Sequence, residues 1–263
     1  MSQREKLAQV VFRRAAIAGD GSTPLGMLFG VESGYERLSR YMAAAAKSGL
    51  RRRTLNQLRR TIAALRPAAR FPRMEEYEQG WQERGSGKVL YQTRAWNPAE
   101  GSDPSDRERL NESRASLIRL LRRELGGRFV GGFIPDDFSR AHYGDLLSKH
   151  GVQRSEYLKL VKGSDVGIAS IGLHQSTPFK IPEYLAAGRA IVSEPLIYDP
   201  GPSPGDAIME FRSVGECLQT IDTLLSDKKE LSRRQDESVK YWRTHVRPDR
   251  IMERVLQSAL EVE

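Results

Sequence analysis

The stretch SDVGIASIGLHQSTPFKIPEYLAAGRAIVS, Ser164–Ser193, reads as strand, loop, short helix and strand. DVGIAS is an apolar run of strand length, EYLAAG is a short helix that stops at a glycine, and AIVS is extended again. Strands without polar alternation are buried on both faces, which is the mark of a parallel sheet with helices on either side.

The same alternation extends in both directions from this unit. KVLYQ reads as a buried strand, and Ser105 to Glu108 is a capping-box signature (S-x-x-E) opening a helix through RLNESRASLIRLLRREL. Gly126-Gly127 closes that helix, RFVGG is the next strand, and Ser155 is expected to cap EYLKLVKG. Beyond AIVS, IMEF is a short strand and the tail from Val214 is helical with a break near Pro248. The chain changes character near Gly85-Ser86-Gly87, upstream of which no strand and helix succession is visible. There, residues 4–18, 33–47 and 51–66 read as helices, Gly19–Gly26 as a loop, and MLF after it as a short strand. The expected fold class is α/β, a Rossmann-like parallel sheet over 88–263 preceded by a smaller, mainly helical region over 1–87.

With 263 residues and a hydrophobic fraction of 39%, the chain can bury a core without metals or disulfides. Cys217 is its single cysteine, so no internal disulfide forms and no clustered Cys/His set offers a zinc site; a reducing compartment is expected. No apolar run reaches membrane-spanning length, and the first residues lack a secretory apolar core, which points to a cytoplasmic protein. The net charge is +8, from 42 Lys+Arg against 34 Asp+Glu. That excess suits an anionic partner, although arginine and alanine enrichment also follows from a GC-rich genome.

In an open parallel sheet, ligands bind beyond the carboxyl ends of the strands, which places the loop Ile171–Lys180 where a ligand belongs. Gly172 permits close backbone approach, and Ser176 and Thr177 offer hydroxyls and amides. Pro182 fits the first position of the helix and leaves Glu183 in its first turn, with Lys180 still in the loop. Free amides at that helix start, joined by the Lys180 charge, would attract a phosphate. Glu183 would repel one, and makes sense as an acceptor for sugar hydroxyls. The dipole alone also favours a glutamate at this position.

The string S-x-P-x-K-x-x-E-Y-L-A-A-G-R-x-I-V-S, preceded by DVGIAS, resembles the donor-binding signature of GT-B glycosyltransferases, in particular the bacterial family-four-like group. The resemblance covers residues 88 to the C-terminus and implies a donor domain for a nucleotide-diphosphate sugar as co-substrate, with no cofactor and no metal. It implies that Lys180 contacts the diphosphate and Glu183 the ribose, with Arg94 in YQTRAW joining Lys180 on the phosphates. YWRTHVRPDR, Tyr241–Arg250, is similar to the tail of the group, whose final helices cross back toward the N-terminal domain.

Two departures matter. The usual signature carries a second glutamate eight positions upstream, near the sugar, where this chain has Gln175. The stretch before residue 88 is also too short for a full acceptor domain, so the chain is expected to have a reduced acceptor side or to be a fragment. These departures leave open a non-catalytic sugar-nucleotide-binding or interaction protein. His174 can hydrogen-bond a phosphate or sugar, and a structural role fits a lone histidine equally well. Asp136-Asp137 reads as a solvated pair, and no D-x-D occurs to hold a metal diphosphate. Residues 51–66 carry arginines at 51, 52, 53, 59 and 60 together with a stripe of Leu55, Leu58, Ile62 and Leu65. That helix can pack on a core, or lie on the anionic inner face of a membrane beside a lipid-linked or glycan acceptor. Too few aromatics accompany the arginines for a nucleic-acid stacking platform.

Overall fold

The computed structural model describes residues 72–260, apart from 102, 151 and 152, together with Phe12–Arg13 and Thr23–Pro24 upstream. The helices expected over 33–47 and 51–66 and the strand read at 27–29 lie outside the described residues. Phe12 and Arg13 pair in parallel with Thr23 and Pro24, which corrects the helix expected over 4–18 and puts an extended segment inside the loop expected over 19–26. Val10, Val11 and Phe12 are β-branched or aromatic, a run that suits a pleated surface better than a helix.

Five strands form one parallel sheet: β1 (Val89–Thr93), β2 (Phe129–Phe133), β3 (Val166–Ala169), β4 (Ala190–Ser193) and β5 (Ile208–Glu210). Their order across the sheet is β2-β1-β3-β4-β5. This is the Rossmann-like α/β class, and its order reverses between β1 and β3, the place where such sheets open a crevice. β1 pairs with β2 along all five residues but with β3 only through Val89–Val166 and Leu90–Gly167.

Strand side chains alternate between two cores. Val89, Tyr91, Ile168 and Val192 meet α2 (Pro104–Leu125) and α6 (Val214–Ser226) on one face. Leu90, Ile191 and Ile208 meet α4 (Arg154–Lys162), α5 (Lys180–Ala186) and the end of α7 (Lys228–Tyr241) on the other. Upstream and downstream of these lie α1 (Met74–Glu78) and α8 (Pro248–Leu260), and a short α3 (Asp137–His142) follows β2. Among the described residues, no helix is long and apolar enough to cross a membrane.

Helix starts depart from expectation where a better cap lies nearby. α2 begins at Pro104, with the Asp103 carboxylate accepting from the Asp106 amide at 3.0 Å, so Ser105 is inside the helix. An aspartate followed by a proline at the first helical position satisfies the start two residues before the S-x-x-E motif. By contrast, α4 starts at Arg154 after Gln153 with no side-chain cap bond, and Ser155 is already helical. Asp136 is the N-cap of α3, accepting from the Ser139 amide at 2.8 Å. The tail divides at Asp227, whose carboxylate takes the amides of Lys229 and Glu230 and so starts α7.

Residues 72–87 pack against the sheet unit. Trp81 Nε1 donates to the Ala186 carbonyl at 2.6 Å, and Glu78 accepts from Trp242 Nε1 and Arg247 at 2.8 Å each. The buried Asp165 carboxylate accepts the amides of Gly85 and Gly87 at 2.8 and 2.6 Å and the Ser86 hydroxyl at 3.2 Å. Both glycines adopt positive φ, +89° and +67°, which lets their amides turn onto one carboxylate. Arg189, 1% exposed, donates to the carbonyls of Gly80, Glu83, Lys162, Ser164 and Ala187, tying this segment to the sheet.

Candidate functional site

The loop from Ile171 to Pro178 leaves β3 at the crevice and is held from three sides. Ile171 donates its amide to Glu194 at 2.7 Å, the Tyr198 hydroxyl donates to the His174 carbonyl at 3.1 Å, and the His174 amide donates to Asp106 at 3.3 Å. Within the loop, the Gly172 amide reaches the Ser176 carbonyl at 2.9 Å and the Ser176 amide reaches the Leu173 carbonyl at 3.2 Å. A Cβ at residue 172 would collide with the Ser176 hydroxyl, so the close approach at Gly172 is made by Ser176 itself. His174 and Gln175 both sit at left-handed φ, 55° and 57°, a conformation costing non-glycine residues roughly 1–2 kcal/mol each. Both are exposed, and they line an open recess of ≈ 540 Å³ with Asp103, Asp106 and Arg109 from the start of α2.

Lys180 and Glu183 lie apart from that recess lining and form a second cluster. α5 begins at Lys180, not at Pro182, so the lysine belongs to the first helical residue and the proline to the third. A proline is tolerated there because first-turn amides have no acceptor within the helix. Of the amides at this helix start, that of Ile181 is taken by the Pro178 carbonyl at 3.3 Å, and Pro182 has none.

The Lys180 ammonium lies 4.1 Å from the ring centroid of Tyr157, a cation–π contact. Burial pulls its pKa down to about 8; Glu183 pulls it back up, while Arg154 and Arg114 push it further down. Burial also raises the Glu183 carboxyl above its ordinary value, against the pull of Lys180 and Arg154. The Tyr77 hydroxyl donates to Glu183 Oε1 at 3.4 Å, and burial with the nearby carboxylate holds that phenol well above its usual range. Two cations, Lys180 and Arg154, thus act on one carboxylate, and Arg114 lies within reach of Lys180.

Arg114 was not anticipated from the sequence, yet it closes the crevice. It is 5% exposed and donates to the carbonyls of Arg94 and Ile171, both at 2.8 Å, joining the ends of β1 and β3 where the strands stop pairing. Its signal was present: Leu110, Arg114, Ile118, Leu121 and Leu125 fall on one helical face, so a cation stands in an apolar stripe. Arg154 and Tyr157, both from α4, and Tyr77 from α1 were likewise missed, since they lie outside the stretch that carries Lys180 and Glu183. The Arg94 side chain is exposed at the end of β1, with its guanidinium 5.6 Å from the Trp96 ring centroid. Ser176 and Thr177 are half-buried in the loop. Among the described residues, no group of three or more His, Cys, Asp or Glu side chains is placed to hold a metal ion.

No protein-family model matches the chain, and no curated protein matches it. Among solved structures, the crystal structure of WaaG, a glycosyltransferase involved in lipopolysaccharide biosynthesis, is similar over 95% of this chain and 78% of its own, at 15% identity and a TM-score of 0.37. The parallel sheet and its strand order, not this likeness, establish the fold class here.

Proposed function

We propose that the protein is a metal-independent glycosyltransferase that takes a sugar from a nucleotide-diphosphate donor. The observation that carries the reading is a cluster beside the crevice of a parallel sheet in which Lys180 and Arg154 both act on the Glu183 carboxylate and Arg114 lies within electrostatic reach of Lys180. An excess of cations suits a diphosphate, and a carboxylate among them suits the adjacent ribose hydroxyls.

In the proposed reaction the bond from the sugar to the diphosphate weakens through an oxocarbenium-like transition state, and negative charge builds on the leaving phosphate. Lys180, with Arg154 and Arg114 behind it and Arg94 reaching in from β1, stabilises that charge. A well-aimed donor contributes about 3 kcal/mol to such a step. Glu183 holds the nucleoside. The recess lined by His174 and Gln175 takes the sugar, with Asp103 and Asp106 supplying the carboxylates that Gln175 does not. The acceptor is a glycan or lipid-linked molecule approached from the cytoplasmic side.

The test is a panel of UDP-, GDP-, ADP- and dTDP-sugars, followed for nucleoside diphosphate release with wild type and Lys180→Ala. Release by wild type that the variant loses supports the reading. Binding without release, seen by calorimetry, would instead identify a non-catalytic nucleotide-sugar binder. Equal release by both proteins would remove Lys180 from the site and with it the proposal.

A further inference from the structure

Tyr157 stands in the first half of α4, 7% exposed, with its ring beneath the Lys180 ammonium. Its hydroxyl is buried and has no hydrogen-bond partner among the described residues. The Glu183 carboxylate and the Tyr184 hydroxyl are near enough to act on it as weak, poorly aligned hydrogen-bond neighbours, yet neither completes a bond of normal geometry. The other buried tyrosines are satisfied: Tyr77 donates to Glu183, Tyr91 to Ser170, Tyr184 to the Ile168 carbonyl and Tyr241 to the Pro202 carbonyl. Tyr157 is the exception among them, and it lies at the candidate site.

A buried hydroxyl without a partner weakens a fold, and phenylalanine would fill the same space without that loss. The ring already has a use as the seat of Lys180, but the oxygen completes no hydrogen bond of normal geometry among the described residues. We infer that Tyr157 is a ligand-binding residue, its hydroxyl reserved for an oxygen of the nucleoside diphosphate that Lys180 and Glu183 hold. The inference rests on the nucleotide-binding reading of that pair. A phosphate that draws the Lys180 ammonium off the ring uncovers the phenol beneath it, and the hydroxyl then donates to the arriving ligand.

Tyr157→Phe removes the oxygen and keeps the ring. Its melting temperature without ligand is expected to equal or exceed that of wild type, while calorimetry with UDP, GDP and ADP shows the affinity for the preferred nucleotide falling about tenfold, the worth of one hydrogen bond to a charged or polar ligand group. A lower melting temperature, with or without loss of affinity, would place the hydroxyl in a structural bond and overturn the inference. Unchanged affinity would overturn it as well. Lys180→Ala in the same assay separates the two claims: if it loses binding while Tyr157→Phe does not, only the inference about Tyr157 falls. If wild type binds none of the three nucleotides, the reading of the site and the inference fall together.

Discussion

Lys180 Nζ sits 4.1 Å from the centre of the Tyr157 ring, so the charge proposed to meet a phosphate rests on an aromatic face. Its ammonium titrates near pH 8. Affinity for a nucleoside diphosphate should therefore be constant below about 8 and weaken as pH rises through that value. Calorimetry across pH 6.5–9.5 checks this, with roughly the window set by the lysine's folded and ordinary values. Lys180→Arg, which does not titrate there, should bind with a flat profile. The sign for stability is opposite: the unfolded lysine keeps its proton to 10.5, so between about 8 and 10.5 the unfolded state binds more protons. The burden of this buried charge on the fold thus eases as pH rises through that window.

Lys180 and Glu183 are each disfavoured by burial and each supported by the other. Lys180→Met alone should lower the melting temperature, because it leaves the carboxylate with less compensation. The double variant Lys180→Met with Glu183→Gln should recover the melting temperature that the single variant loses, since neutralising both partly buried charges leaves no carboxylate short of compensation. Thermal denaturation of the three proteins decides this. A double variant less stable than the single one would show that the pair supports the fold.

Arg189 bridges five carbonyls and lies near the buried Asp165. Arg189→Met should cost about 3–5 kcal/mol, because removing one buried charge leaves its partners uncompensated. Urea denaturation measures the loss. Limited proteolysis should then cut first within residues 80–87, the segment that Arg189 and Asp165 hold.

Gly188 ends α5 at φ +64°, and a Cβ there would lie 2.7 Å from both Trp81 Cδ1 and Val239 Cγ2. Gly188→Ala combines a left-handed backbone with overpacking and should destabilise the fold by about 2–4 kcal/mol. Denaturant unfolding checks it, and a change under 0.5 kcal/mol, the ordinary range for surface substitutions, would show that both neighbours yield freely.

The strands β3 and β4 were legible because both are buried on both faces and nearly apolar throughout, as in DVGIAS and AIVS. Helix starts were less so. Asp103 with Pro104 outcompeted the S-x-x-E motif at Ser105, because the aspartate caps better, while α5 gained two residues ahead of Pro182 without any side-chain cap at Phe179. Phe12–Arg13 pairs with a segment that helical periodicity does not reveal.

Lys180, Glu183, His174 and Gln175 could be named from one continuous stretch, since their spacing around a loop and helix is local. Their surroundings could not. Arg114 comes from α2, Arg154 and Tyr157 from α4, and Tyr77 from the segment before the sheet. The sequence alone determined a parallel sheet and the loop at its carboxyl edge, because burial and turn chemistry leave periodic marks. Only the tertiary structure decided that His174 and Gln175 open onto one recess while Lys180 and Glu183 gather the cations elsewhere. That division depends on the strand order β2-β1-β3-β4-β5 and on the helices it brings together, contacts between residues far apart in the chain that leave no local pattern.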